Sequence, residues 1–216
     1  MSFKRFGLAQ QRLNLFLISA AIGILFLSTA PQVLAHHATG DTTPTNFFEG
    51  FVSGLAHPVI GLDHLAFVVA IGLIAAGQVN GALIPAGFVL AALAGTGVHL
   101  LSVNLPVAEV AIALSVVTVG VMLAIPHKPN LTTLTCLGAI AGLFHGYAYG
   151  EAIIGAGMVP LGAYLLGFTI VQYCITMISR AGGNFLLQTN ARQIIQLCGL
   201  AIAAIGIVFA TNSLWG

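Results

Sequence analysis

Charge is what this chain has least of. Six basic and five acidic side chains are spread over 216 residues, about 5% of the total, against roughly a quarter in an ordinary soluble domain. So few charges cannot coat a water-facing surface. They also exclude a nucleic-acid binder, which needs a basic face, and a disordered chain, which needs polarity. Cysteine is scarce too. Cys136, Cys174 and Cys198 all lie inside apolar runs, which excludes a disulfide scaffold. A GxxxxGK[ST] phosphate loop is missing, so the chain carries no such site for hydrolysing a nucleotide. What is abundant is apolar: 58% of residues are hydrophobic and 26 are glycine, the composition of packed helices in lipid. One all-α membrane domain is expected.

The first stretch has the form of a leader. Lys4, Arg5 and Arg12 make a positive n-region, Leu13 to Ala30 is apolar, and Val33-Leu34-Ala35 places small residues at −3 and −1 of a cleavage site. A signal peptide over residues 1–35 is expected, an uncleaved anchor being the alternative. The mature chain then starts at His36-His37 on the outer face. Residues 36–57 form an outer segment with a short interfacial helix, because Phe47, Phe48, Phe51 and Leu55 recur at roughly helical spacing. Pro58 suits the first turn of a span.

A bilayer core takes about 20 apolar residues per helix. Residues 58–216 supply six such runs: Pro58–Gly77, Ala82–Leu101, Val107–Ile125, Leu131–Gly150, Val159–Ile178 and Gln193–Asn212. Turn chemistry separates them at Gln78–Gly81, Asn104–Pro106, Pro126–Asn130 and Arg180–Asn184. Six transmembrane helices in one bundle are expected. Lys128, Arg180 and Arg192, all the basic residues beyond the leader, then fall on one side, the cytoplasmic one. Both mature termini are placed in the periplasm of a bacterial inner-membrane protein.

That threading sorts the remaining polar residues by depth. Asp41, Glu49, His57, Asp63, His64, His99, Glu109, His145 and Glu151 all come to the outer side. His57 and His64 are seven apart, two helical turns, and share a face. An ionised Asp63 facing lipid would cost about 2.5–3.5 kcal/mol, so it needs a partner, a cavity or an ion. Imidazole and carboxylate with no thiolate nearby suit a borderline divalent metal such as Ni²⁺, Co²⁺ or Zn²⁺. Proton relay is the competing use of the same groups, and a strut between helices is the plain one. A weaker metal site is the new amine with His36. Two glycine stripes, Gly87-Ala91-Gly95 leading to His99 and Gly138-Gly142-Gly146-Gly150, mark the buried sides of spans 2 and 4.

His57-Pro58-Val59-Ile60-Gly61-Leu62-Asp63-His64 resembles the HPxxGxDH signature of the HupE/UreJ family. Glu109 with Ile112-Ala113-Leu114-Ser115, and His145-Gly146-Tyr147-Ala148-Tyr149-Gly150-Glu151, are further matches. The resemblance implies a six-span secondary permease for nickel, or next cobalt, with His57, Asp63 and His64 needed for transport. His145 and Glu151 would complete an outward-facing site and Glu109 would steer cations to it. Two departures stand out. Tyr147 and Tyr149 replace histidines of the HGHAHG pattern, and Val68 stands where relatives often carry methionine. A looser, more oxygen-rich site would follow. The ion is cargo, and no permanently bound cofactor is expected. The other partner is the lipid bilayer, with no nucleic acid, and no feature fixes an oligomeric state. Rival readings are a non-transporting membrane subunit or assembly factor of a metalloenzyme system, and an enzyme with Ser53 or Ser115 as nucleophile.

Overall fold

The structure is a computed structural model that describes residues 43–126 and 129–215. The leader, its cleavage site, His36, Asp41 and the loop residues His127 and Lys128 lie outside the described residues. Every regular element among the described residues is an α-helix: α1 (Phe47–Ile60), α2 (Leu62–Ala75), α3 (Leu83–Leu100), α4 (Ala108–Ala124), α5 (Leu131–Glu151), α6 (Met158–Gln188) and α7 (Arg192–Trp215). Four of them, α3, α5, α6 and α7, are long and apolar enough to cross a membrane. Helix α4, with 17 residues, is shorter but equally apolar. Large apolar side chains such as Leu90, Leu101, Ile178, Phe185 and Ile207 point outward, as a lipid-facing surface requires.

Helix α1 begins in a capping box. Asn46 accepts the amide of Glu49, while the Glu49 carboxylate accepts the Thr45 amide at 2.8 Å and its hydroxyl at 2.9 Å. Those bonds, the Thr45 amide first, hold the exposed Glu49 carboxyl below its ordinary value. The helix does not stop before Pro58. It runs through the proline to Ile60 and turns by 82° at Gly61 into α2. Pro58 therefore lies inside α1 and does not open a span, which corrects the expected boundary at residue 58. Proline there loses the bond to the Gly54 carbonyl and crowds it, a cost offset by the close packing of α1 on α6, where Gly50 and Gly54 meet Pro160 and Tyr164. Gly61, in extended conformation at φ −73° and ψ 111°, supplies the corner.

A second correction concerns Arg180–Asn184. The glycine pair is no loop, because α6 continues for 31 residues to Gln188. Gly183 packs directly against Ala76, and the Asn184 side chain accepts the Gly77 amide at 2.8 Å. Glycine here lets α2 and α6 approach, a use that overrides its low helix propensity. At 1.5 Å per residue, α6 is about 46 Å long and overshoots a 30 Å hydrocarbon core.

Glycines also set the helix directions. Gly138, Gly142, Gly146 and Gly150 meet Ile84, Phe88, Ala92 and His99 in rising order, so α5 and α3 run parallel. A Cβ on Gly146 would collide with the Ala92 carbonyl. Both stripes flagged in the sequence lie in this interface, each against the neighbouring row of the other helix, Gly87 meeting Thr135 and Gly95 meeting Leu143 and Tyr147. Gly72 meets Thr176 and Gly183 meets Ala76, making α2 and α6 parallel, whereas Gly120 and Gly206 set α4 and α7 antiparallel. These are the directions that regular alternation of the helices from α2 to α7 demands. At one end lie Arg180 and Arg192; at the other lie His57, His99, His145 and Glu151. An apolar core including Phe67, Ile71, Ile84, Phe88, Val116 and Leu123 fills the space between.

Candidate metal site at the histidine end

The corner at Gly61 brings the end of α1 back over the start of α2. Their facing side chains are His57 and His64, with ring centroids 6.4 Å apart. Helix α5 contributes His145, whose ring lies 5.0 Å from His64, and one turn further on Tyr149. Tyr149 stands edge-on to both other histidines, 5.1 Å from His57 and 4.7 Å from His64. The hydroxyl of Tyr164, from α6, donates to the Tyr149 carbonyl at 2.9 Å and fixes that turn. Asp63 places Oδ1 3.1 Å from His64 Nδ1, a contact of ion-pair length that falls outside hydrogen-bond angles. Four sequence-flagged residues, His57, Asp63, His64 and His145, therefore gather at one place.

His145 is wholly buried, 0% exposed. Its ring stacks on Phe67 at 4.2 Å and presents an edge toward Phe88. Nε2 lies 3.0 Å from the Ser115 hydroxyl of α4, and that hydroxyl donates to the Ile112 carbonyl at 2.6 Å. The Ser115 hydroxyl thus lies within hydrogen-bond reach of both the Ile112 carbonyl and the imidazole. His145 Nδ1 is buried and has no hydrogen-bond partner among the described residues. An outer hydrogen bond that selects the tautomer of a ligand histidine is the usual arrangement at metal sites.

The other flagged residues are placed elsewhere. Glu109, in the first turn of α4, and Glu151, the last residue of α5, are both exposed and outside the ring contacts of the cluster. His99 lies across α5 against Tyr147, with centroids 4.4 Å apart. Together with Ser102 and Asn104 these two line a cleft of about 350 Å³. Tyr147 and Tyr149 are therefore not equivalent. Tyr149 occupies the middle of the histidine cluster, and Tyr147 faces away from it. Sequence reasoning missed Tyr164 and Phe67 as site residues, and it did not separate Tyr149 from Tyr147. The signal for Tyr149 was its spacing of four from His145, which fixes a shared face.

Among the described residues, no three His, Cys, Asp or Glu side chains stand close enough to hold an ion as placed. The rings are turned edge to face around Tyr149. Two imidazole nitrogens, a carboxylate and the buried, unpartnered Tyr149 hydroxyl form the available donor set.

The family model described as HupE / UreJ protein matches residues 24–209. A curated relative, Protein HupE of Rhizobium leguminosarum bv. viciae, is 27% identical over 160 residues, covering 73% of this chain and 83% of its own. No solved structure matches.

Proposed function

This chain belongs to the HupE/UreJ family, and from that premise we propose that it is a secondary permease importing a divalent transition metal, nickel first and cobalt next, across the bacterial inner membrane. In this reading α2 to α7 are the six spans, α1 lies in the outer interface behind a leader over residues 1–35, and the arginine end faces the cytoplasm. Helix α2 has 14 residues, about 21 Å, so the Gly61 corner lies below the outer boundary of the bilayer. His57, Asp63, His64 and His145 then form the capture site, with Glu109 and Glu151 drawing cations toward it from the outer surface.

The observation that carries this reading is the meeting of imidazoles from three helices, with His145 Nδ1 buried and unpartnered among the described residues. A loosely arranged donor set also suits a carrier, since cargo must leave as readily as it enters. An inward charge of +2 gains about 4.6 kcal/mol per 100 mV of inside-negative potential, twice the per-charge figure, enough to drive accumulation without nucleotide hydrolysis.

The test is uptake of radiolabelled nickel by cells producing the wild-type or His64→Ala protein at matched levels. The variant is expected to lose uptake to background, at least tenfold. Equal uptake overturns the reading. Stable co-purification with a larger complex, without uptake by the wild type, would favour a non-transporting subunit.

A further inference from the structure

Below the histidine cluster one polar side chain has no structural employment. Gln172 of α6 is 0% exposed, and neither its Oε1 nor its Nε2 has a hydrogen-bond partner among the described residues. A buried amide is normally paired, and one left unpaired at both atoms calls for an explanation. Leucine would fill nearly the same volume without the penalty of stripping an amide of water.

Its position supplies the explanation. Tyr164, Phe168, Gln172, Thr176 and Arg180 recur every four residues and so share one face of α6. The first two touch the metal site, Tyr164 through its bond to the Tyr149 carbonyl and Phe168 through its ring, 5.6 Å from that of Tyr149. Thr176 is also fully buried, and its hydroxyl donates to the Tyr173 carbonyl at 2.9 Å, leaving its oxygen lone pairs available. Arg180 marks the opposite end. By helical rise Gln172 stands about 12 Å below Tyr164 and about 12 Å above Arg180, midway between the site and the arginine end. Gly72 meets Thr176 on the parallel α2, so one turn back the same register sets Val68 level with Gln172. Val68 brings no polar atom. At that depth Gln172 is the polar group on the α2–α6 seam.

Building on the permease reading, we propose that Gln172 and Thr176 form a second, oxygen-donating station for the divalent cation on its way from the histidine cluster to the cytoplasm. An uncharged amide oxygen replaces part of the hydration shell of a cation and holds it weakly enough to pass it on. The histidine cluster selects; the amide below it relays.

The experiment uses purified full-length protein, with nickel binding measured at equilibrium and nickel uptake measured in proteoliposomes. Gln172→Leu is expected to bind nickel within twofold of wild type and to take it up at least tenfold more slowly. Uptake at the wild-type rate overturns the proposal. Gln172→Glu, which places a charged oxygen at the same point, is expected to hold nickel at least tenfold more tightly than wild type; unchanged affinity overturns it as well. A wild type that moves no nickel sinks the permease reading, and this proposal with it. Normal uptake by wild type and by Gln172→Leu sinks the relay alone.

Discussion

At the arginine end of the bundle, three polar side chains are bonded to backbone, while Arg180 Nε is buried without a hydrogen-bond partner among the described residues. Arg192 donates to the Pro126 carbonyl, Gln196 to the Ala124 carbonyl at 3.2 Å, and Asn184 accepts the Gly77 amide. Each bond closes a helix end that would otherwise leave carbonyls or amides bare. At the histidine end the pattern reverses. The Nδ1 atoms of His64, His99 and His145 and the Tyr149 hydroxyl are buried without hydrogen-bond partners. Both ends lie in the same fold and draw on similar residue types. One end uses polar groups to stabilise itself. The other leaves several of them unpartnered, which under the permease reading is where a cation would be taken up, and close glycine contacts form the helix seams between the ends.

That contrast can be broken in three places, beginning with the seam. Gly146→Val drives a side chain into the Ala92 carbonyl and is expected to destabilise the bundle by about 3 kcal/mol. Thermal unfolding in detergent reads the loss, and a wild-type transition would show that α3 and α5 do not meet as described. Next comes the tautomer lock. Ser115→Ala frees His145 Nε2 and is expected to weaken nickel binding about tenfold while the unfolding transition moves little. Ser115→Thr should restore affinity, and equal affinity in all three proteins would remove the lock. The smallest effect belongs to the arginine end. Gln196→Ala forfeits one bond to a carbonyl and is expected to cost about 1 kcal/mol of stability with nickel uptake unchanged. A transport defect there would erase the distinction between the two ends.

Much of this was legible in the chain itself. The HPxxGxDH resemblance marked His57 and His64 with Asp63, but the spacing of seven misled: the helix breaks between them, and the 82° corner at Gly61, not two turns of one helix, makes them face each other. The glycine stripes correctly named the facing sides of α3 and α5, because a run of glycines at intervals of four has few uses other than close approach. What could not be read were the points where tertiary contact overrides local preference. Pro58 looked like a helix start, and Gly182-Gly183 looked like a turn. Both became helix interiors because packing against α6 and α2 outweighs the propensity cost. Tyr149 was marked together with Tyr147, but which of the two faces the histidines depends on neighbours from other helices that the sequence does not show. The contact of Ser115 with His145 could not be read either, since it joins residues thirty apart on different helices.

The corner between α1 and α2 has a consequence for how such a protein can change its cargo. The backbone angles of Gly61 are ones any amino acid adopts without strain, so glycine is there for room. A methyl group at that point would rest 3.3 Å from Asp63 Oδ1 and 3.4 Å from His64 Cβ. One added carbon would therefore crowd the carboxylate and the imidazole from behind, shifting them slightly while keeping every donor. Under the permease reading, selectivity among ions of nearly equal size would then be adjustable from a residue that never touches them.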